Sequence, residues 1–406
     1  MTVPGRGGII TGWGIAVPDK VVTNEDLSAT LDTNDAWIVE RTGIRERRIG
    51  GTTSGLAIEA GLAALKKAGR RPDEIDSVIL ATTTPDAIVP GTSATVQDGI
   101  GIPGGAFDIN AACSGFVYGL AVAHGLLAVG AERLLLIGSE TLSRITDCDD
   151  RSIAVLVGDG AGAIVLEATD GPGQLLSWNL NADGSLKHLL KCDHGGYLYM
   201  DGKEIFRKAV RAVVESSERA IAEAGLTTDD IDLVVPHQAN LRIISAVCQR
   251  LGIPEEKAVM VIDRYGNTSS ASIPLALVDA IDAGRLNKGD RVLLSGFGGG
   301  MTWASAVLRW GGTALRRLQA AGSGRALGRG GHRPRGQRRH GLRFWCHRPR
   351  RPSGDGTGHP LPRRAVLAVF GRGELCRATG CAGNDPCHPG RPIGGRHGAA
   401  VRGGQR

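Results

Sequence analysis

The stretch INAACSGFVYGL (109–120) sets one cysteine, Cys113, between an apolar, strand-like run and a Gly- and Ala-rich helical pattern. A thiol at a helix N-terminus meets unpaired N–H groups and the positive end of the helix dipole, and both favour thiolate. Free cysteine has a pKa of about 8.5, so a modest depression gives appreciable thiolate near neutral pH. A free cysteine serves equally as a small buried hydrophobe, and this stretch alone leaves both readings open. Three other stretches could partner it. In VVPHQANLRI (234–243), His237 follows the apolar run IDLVV and so sits at the C-terminal end of a strand, where α/β sheets present catalytic groups. A lone histidine is more often structural, and Gln238 and Asn240 shift that balance only slightly. In RYGNTSSASIPLAL (264–277), Gly266 permits a tight turn and Asn267 is either a turn or helix cap or a neutral amide donor. In GFGGGMTW (296–303), successive glycines let backbone N–H groups approach a ligand. That run lacks the lysine and spacing of a P-loop, which excludes a phosphate loop of that kind.

The elements that must position these residues alternate. LAIEAGLAALKKAG (56–69) has a helical pattern, while IDSVILATTT (75–84), GAFDIN (105–110), RLLLIGS (133–139) and AVLVGDGAGAIVLEA (154–168) read as strands, the last with a Gly-rich interruption. Such alternation predicts an α/β fold with buried strands. An internal repeat sharpens it. KKAGRRPDEIDSVIL (66–80) resembles AEAGLTTDDIDLVVP (222–236) at an offset of 156, and AERLLLIGS (131–139) resembles GDRVLLSGF (289–297) at 158. Two pairs in the same order predict a duplicated α/β half. At the second offset Cys113 falls opposite Ala271, so only one half carries a thiol there.

Charge divides the chain. Residues 313–406 hold 20 Arg, no Lys and three acids, a net of +17, while 1–312 hold 28 basic and 38 acidic residues, a net of −10. An acidic body therefore carries a basic Arg/Gly/Pro-rich tail, and the overall +7 describes neither. The tail fits a disordered arm that binds nucleic acid. The absence of lysine among its arginines fits better a GC-rich reading frame that selection never shaped. Cys376, Cys381, Cys387 and His388 match no common zinc spacing. The body's Cys113, Cys148, Cys192 and Cys248 form no disulfide framework, which suits a reducing compartment. MTVPGRGGIITGWG lacks a signal-peptide pattern, and Val117–Ser139 reads as a core helix and strand rather than a membrane span. The expected location is the cytoplasm, with no membrane association.

Cys, His and Asn on repeated strand–turn–helix units form a nucleophilic set. Here the body resembles the β-ketoacyl-acyl-carrier-protein synthase III family, through DAWIVERTGIRERR (35–48), NAACSGF (110–116), DRSIAVLVGDGAGA (150–163), PHQAN (236–240), YGNTSSAS (265–272) and GFGGGMTWASAVLRW (296–310). The motifs cover essentially all of 8–312. The resemblance implies a thiolase-like fold of two duplicated halves in an α-β-α-β-α layering, with an N-terminal half (1–170) and a C-terminal half (171–312); the tail (313–406) has no counterpart in the family, and its composition predicts no folded domain. Elongating ketosynthases use Cys-His-His and thiolases Cys-His-Cys, so Asn267 points to the starter enzymes.

By that resemblance Cys113 accepts an acyl group from acyl-CoA, and malonyl-acyl-carrier-protein then enters and loses CO2. His237 and Asn267 hydrogen-bond the enolate oxygen. The N–H groups of Cys113 and Gly299 hold the second oxyanion. Trp37 would stack on the CoA adenine, with Arg41 and Arg151 near its phosphates and base. Asn240 would support that CoA-binding region, and Phe297 would orient substrates in the channel. Arg207, Lys208, Arg211 and Arg242 are candidate docking contacts for an acidic carrier protein, the alternative being a solvated helix face. No cofactor or metal is expected, and a homodimer is. Residues 184–201 are short and unusual for the family, and Val89 is smaller than the aromatic residue found in some members. Two other readings remain: a starter ketosynthase or acyltransferase of polyketide assembly, and nucleic-acid binding through the tail.

Overall fold

Two main sheets take up the apolar runs in a computed structural model that describes residues 6–311. The basic tail expected over 313–406, with its cysteines, lies outside the described residues. The first sheet contains β1 (Gly7–Ala16), β2 (Ser77–Ala81), β3 (Gly105–Ile109), β4 (Arg133–Thr141) and β5 (Asp159–Thr169), ordered β1-β5-β4-β2-β3. The second contains β6 (Leu175–Ala182), β7 (Leu233–Pro236), β8 (Arg291–Gly298) and β9 (Thr302–Arg309), ordered β7-β8-β9-β6. The succession repeats. β2 runs parallel to β4, which is antiparallel to β5, which is antiparallel to β1. Likewise β7 runs parallel to β8, which is antiparallel to β9, which is antiparallel to β6. Where the first half pairs Val78 with Ala106 on β3, the second keeps a single bridge, Val234 to Ala258.

Helices fill three layers. They are α1 (Asp35–Thr42), α2 (Thr53–Ala68), α3 (Thr92–Ile100), α4 (Gly115–Ala128), α5 (Gly202–Glu223), α6 (Leu241–Leu251) and α7 (Ser272–Asp282). α2 and α3 cover the outer face of the first sheet, α5 and α6 that of the second, and α4 and α7 lie between. Apolar burial follows the layering. One cluster joins Phe116, Leu120, Leu277 and Leu294 between the sheets, a second joins Leu65, Leu80 and Val96 outside the first, and a third joins Val213, Val247 and Leu293 outside the second. α4 is apolar on nearly every side because sheets flank it on both faces, whereas α5 needs one apolar stripe. Among the described residues, no helix is long and apolar enough to cross a membrane.

Two expectations need correction. Residues 154–168 are not one interrupted strand: a short helix, Arg151–Ala154, precedes β5, which begins at Asp159 and carries Gly160 and Gly162 within it. Those glycines lie against α7, leaving no break in the strand. The twin of Cys113 is also displaced by one. A 3-10 turn, Ala112–Ser114, leads into α4, and another, Ser269–Ala271, leads into α7. Each turn starts at positive φ, 47° at Ala112 and 46° at Ser269. Each is closed by an asparagine two residues earlier, Asn110 Oδ1 accepting from Ala112 N (3.2 Å) and Asn267 Oδ1 from Ser269 N (2.9 Å). The offset at the turns is thus 157, one shorter than the 158 between β4 and β8, and Cys113 pairs with Ser270 rather than Ala271.

The two turns cross the strands of the opposite half. A Cβ at Gly138 on β4 would sit 2.3 Å from the Ser270 carbonyl oxygen, and one at Gly296 on β8 would sit 3.2 Å from that of Cys113. Backbone blocks the first position, so no rotamer change relieves it. Gly138→Ala should destabilise the protein by about 1–3 kcal/mol, the usual cost of overpacking. Gly125→Ala, on the exposed end of α4 with open space around it, should stabilise by roughly 0.5–1 kcal/mol. Urea unfolding midpoints of the two variants check both signs.

Candidate active site

Three chain reversals converge on one space. Cys113 occupies the turn after β3, His237 the residue after β7, and Asn267 the residue after Gly266, whose φ of 64° makes the turn. All three line a cavity of about 470 Å3, together with Trp37, Arg41, Asn240, Arg242 and Phe297. A second cavity of about 410 Å3 also touches Cys113 and Asn267. Leu142, Ile145, Leu156, Leu198 and Met200 make its wall largely apolar. Cys113 therefore stands where a cavity with arginines at its rim meets an apolar one.

Burial dominates the electrostatics. It pushes the Cys113 thiol up from 9.0 to about 12, with the nearby Glu140 carboxylate acting the same way and a hydrogen bond with Ser269 opposing. The depressed thiol expected from a helix N-terminus is thus not what the fold produces, because apolar walls penalise the thiolate more than the turn's dipole and donors favour it. Burial likewise holds His237 down to about 3 from 6.5, so the ring is neutral. Its Nδ1 lies 2.6 Å from Ser272 Oγ, and Phe297 packs edge-on with ring centroids 5.6 Å apart. Asn267 is held by its backbone as well, donating to Leu156 O at 2.8 Å and accepting from Gly158 N at 2.9 Å. Its Oδ1 is taken up by Ser269 N, which leaves the Nδ2 protons as its donors toward a ligand.

The other expected residues divide. Trp37 lies beneath two guanidiniums, Arg41 at 4.5 Å and Arg151 at 5.0 Å from the ring centroid. Arg151 does not line the cavity itself and also donates to the Asp32 carbonyl. Asn240 Oδ1 caps α6 by accepting from Arg242 N at 2.9 Å while the residue lines the cavity. Gly299 lines only the second cavity, beside Cys113. A Cβ at its neighbour Gly298 would lie 2.4 Å from Cys113 N, so this glycine run is pressed against the Cys113 backbone. On α5, Arg207 and Arg211 pair with Glu204 and Glu215 of their own helix, outside the cavity, and Lys208 acts on Asp183. Arg242 reaches the cavity and stacks over Phe206 at 5.8 Å.

Sequence reasoning missed several contributors. Ser272 and Ser269 touch the histidine and the thiol, and nothing separates them from their hydroxyl neighbours in NTSSAS except the fold. Leu190 and Met200, from the small hairpin Leu190–Lys191/Tyr199–Met200, line both cavities. Gln238, weighed as support for His237 chemistry, is a fully bonded clamp: Nε2 donates to Pro236 O and Val259 O, and Oε1 accepts from Val261 N and Ile262 N. Among the described residues, no group of three or more His, Cys, Asp or Glu could hold a metal ion.

The chain is similar in sequence and fold to known proteins. A family model described as 3-Oxoacyl-[acyl-carrier-protein (ACP)] synthase III matches residues 107–184, and one described as its C-terminal part matches 221–310. A relative from Roseiflexus castenholzii named Beta-ketoacyl-[acyl-carrier-protein] synthase III is 52% identical over 321 residues, covering 74% of this chain and 97% of the relative. One of the same name from Xanthomonas campestris is 49% identical over 318 residues, covering 74% and 98%. The crystal structure of 3-oxoacyl-[acyl-carrier-protein] synthase III from Aquifex aeolicus aligns with a TM-score of 0.74 and 44% identity, covering 75% of this chain and all of that one. The priming β-ketosynthase of the R1128 polyketide pathway aligns at 0.73 and 35% identity, covering 76% and 97%.

The burial of the two reactive groups sets a pH signature. Alkylation of Cys113 by iodoacetamide should be slow at pH 7–8, and its rate should still be rising past pH 9, because the thiol ionises only near 12. His237 is neutral when folded and takes up a proton on unfolding below 6.5. Its contribution to stability is therefore full above 6.5 and lost as pH falls toward 3. His237→Gln should flatten the fall of unfolding free energy between pH 6 and 4 by up to about 1.4 kcal/mol per pH unit.

Proposed function

The chain belongs to the 3-oxoacyl-[acyl-carrier-protein] synthase III family, and from that premise we propose how its own residues carry out the family's condensation. It is an acyltransferase of the condensing type that starts fatty acid synthesis. The observation that carries the residue assignment is the single space lined by Cys113, His237 and Asn267. The Cys113 sulfur attacks the thioester carbon of an acyl-CoA, its proton passes to the departing CoA sulfur, and a Cys113 thioester remains. A thiol of high pKa gives a strongly nucleophilic thiolate once formed, so the apolar wall that makes ionisation costly also makes attack effective. The Cys113 N–H, in the first turn of its 3-10 helix, and the N–H of Gly299 hold the oxyanion.

Malonyl-acyl-carrier-protein then enters through the arginine-rimmed cavity. Its carboxylate leaves as CO2, and the electron pair forms an enolate on the thioester. Neutral His237 and the Asn267 amide donate to the enolate oxygen. A neutral pair suits the step, because a cation there would also hold the departing carboxylate. The enolate carbon attacks the acyl group, the Cys113 sulfur leaves and takes up a proton, and β-ketoacyl-carrier protein departs. Loss of CO2 supplies the carbanion, so the chemistry calls for no cofactor.

Trp37 stacks the CoA adenine in place of one of its two guanidinium neighbours, with Arg41 or Arg151 turning to phosphate. Arg242 and Lys203 line the cavity and, with Arg207, Lys208 and Arg211, form the face for an acidic carrier protein. Asn240 and Phe297 hold the channel wall. The protein works as a homodimer: β3 is an edge strand carrying half-exposed Phe107, and Ile88 and Val89, in the loop between β2 and α3, are more than 80% exposed. An acyl-CoA and a carrier protein place it in the cytoplasm, with nucleic acid no part of the reaction. The N-terminal half comprises 1–170 and the C-terminal half 171–312. A second reading, a priming enzyme of polyketide assembly, is favoured by the 35% identity to the R1128 synthase.

Incubation with acetyl-, isobutyryl- or octanoyl-CoA should give an acyl adduct on Cys113, and malonyl-carrier protein should convert it to β-ketoacyl product with one CO2 released per turnover. Cys113→Ser should abolish the adduct. His237→Ala and Asn267→Ala should keep it while slowing decarboxylation about 10²–10³-fold, the cost of an oxyanion donor. Acyl transfer to carrier protein without CO2 would sink the condensing reading in favour of an acyltransferase, and mass added to another cysteine would sink the Cys113 assignment.

A further inference from the structure

His237 presents one of two ring nitrogens to the cavity, and the reaction needs that nitrogen to carry a proton. Neutral imidazole carries one proton only, so something must keep it off the other nitrogen. Ser272, the first residue of α7, is placed to do so. Its Oγ lies 2.6 Å from His237 Nδ1 and 3.3 Å from the backbone N of Gln238, and the residue is 1% exposed. Gln238 N–H can only donate, so the hydroxyl oxygen accepts there. The hydroxyl then has one proton to place, and among the described residues Nδ1 is the acceptor its bonds provide. A separation of 2.6 Å also suits a hydroxyl donor better than a ring N–H, whose bonds to oxygen usually run 2.7–3.2 Å.

We propose that Ser272 is a positioning residue that donates to Nδ1 and so holds His237 in the Nε2-protonated form, ready to hydrogen-bond a substrate oxygen. The proposal rests on the reading of His237 as a donor in the condensing reaction. The duplication isolates the feature. At the turn offset of 157, Ser272 corresponds to Gly115, which has no side chain and begins α4. The residue matching His237 at the offset of 156 between β2 and β7 is Ala81, the last of β2. Neither the ring nor its hydroxyl partner has an equivalent in the first half, so the pair is not a structural feature of the repeat. The peptides on either side of His237 add to the fixity, since His237 N donates to Ser295 O at 2.7 Å while Gln238 N donates to the same hydroxyl that bonds the ring.

The test has two arms. In the first, the full chain is labelled with ¹⁵N-histidine, and two-bond ¹⁵N–¹H spectra at pH 7 are assigned with His237→Gln. His237 should show a single Nε2–H pattern, and an Nδ1–H pattern overturns the proposal whatever the enzyme's activity. In the second, Ser272→Ala and Ser272→Thr are compared with the parent chain for Cys113 acylation and for decarboxylation of malonyl-carrier protein. Ser272→Ala should slow decarboxylation about 10–100-fold with acylation within twofold, and Ser272→Thr, which keeps the hydroxyl, should recover most of the loss. Equal loss of both steps, or no loss of decarboxylation, overturns the proposal. If the parent chain acylates but never decarboxylates, the condensing reading fails, and the spectra still decide the tautomer.

Discussion

The structure depends on how closely each strained turn can approach the opposite half. Ala112 and Ser269 take positive φ, which costs a residue with a side chain on the order of 1–3 kcal/mol and persists only where surroundings dictate it. Those surroundings are visible. Ser114 Oγ donates toward Ala111 O (2.7 Å) and bonds Thr302 Oγ1 (2.8 Å), tying the nucleophile's turn to β9. Across the molecule Ser270 Oγ reaches Ala81 O and the buried Glu140 carboxylate, both at 2.8 Å. Thr82, Thr83 and Thr84 supply further hydroxyl donors to that carboxylate. Glycines on β4 and β8 make the room. Tight crossing then fixes where the Cys113 N–H and the Gly298–Gly300 run lie relative to each other, which is what an oxyanion site requires.

Desolvation is the second consequence of that packing, and it acts on two groups in opposite chemical senses. The walls that lift the thiol toward 12 also hold the imidazole near 3. One group is kept protonated and the other is kept neutral, so the resting site contains no ion pair between them. A Cys–His site that rests as thiolate and imidazolium would hold a cation where the malonyl carboxylate must leave. In the proposed reaction the charge appears only as it is created, in the acyl oxyanion and then the enolate, and each would meet donors already fixed by backbone bonds.

Much of this was legible in the sequence because the repeat is written in apolar periodicity and in Ala-Gly helix ends. The α/β alternation and the duplication follow from such local marks, whereas the α-β-α-β-α layering was implied by the family resemblance. The one-residue error in pairing Cys113 with Ala271 arose because strands and turns repeat at different offsets, and an ungapped comparison cannot see a loop shorten by one. The reading of 154–168 as an interrupted strand failed because glycines were taken as breakers, whereas Gly160 and Gly162 sit inside β5 where α7 comes close. The thiol's direction was missed for a different reason. Position on a helix is local, but burial by Leu156, Leu190 and Met200 comes from segments distant in sequence. Ser272 was invisible for the same cause, since its partner lies 35 residues away.

Catalysis in this fold is a matter of broken symmetry. The motifs NAACSG and NTSSAS are the same turn twice, closed by Asn110 and Asn267 through the same two-residue bond. Asn267 is therefore a turn cap and a donor at once, and the choice between those roles that the sequence poses does not arise. The cap consumes its carbonyl, and the remaining amide protons are what the cavity receives. At the next positions the halves part: Ala112 against Ser269, Cys113 against Ser270, Gly115 against Ser272. One half keeps the thiol and sets Ala112 and Gly115 where the other carries Ser269 and Ser272. The other surrounds its turn with hydroxyls that serve the thiol, the carboxylate beneath and the histidine. A symmetric ancestor with two equal turns would present either two nucleophiles without donors or two donor sets without a nucleophile. Facing the turns toward each other lets each half specialise, and the close crossing that the glycines permit brings the two specialisations within reach of one substrate.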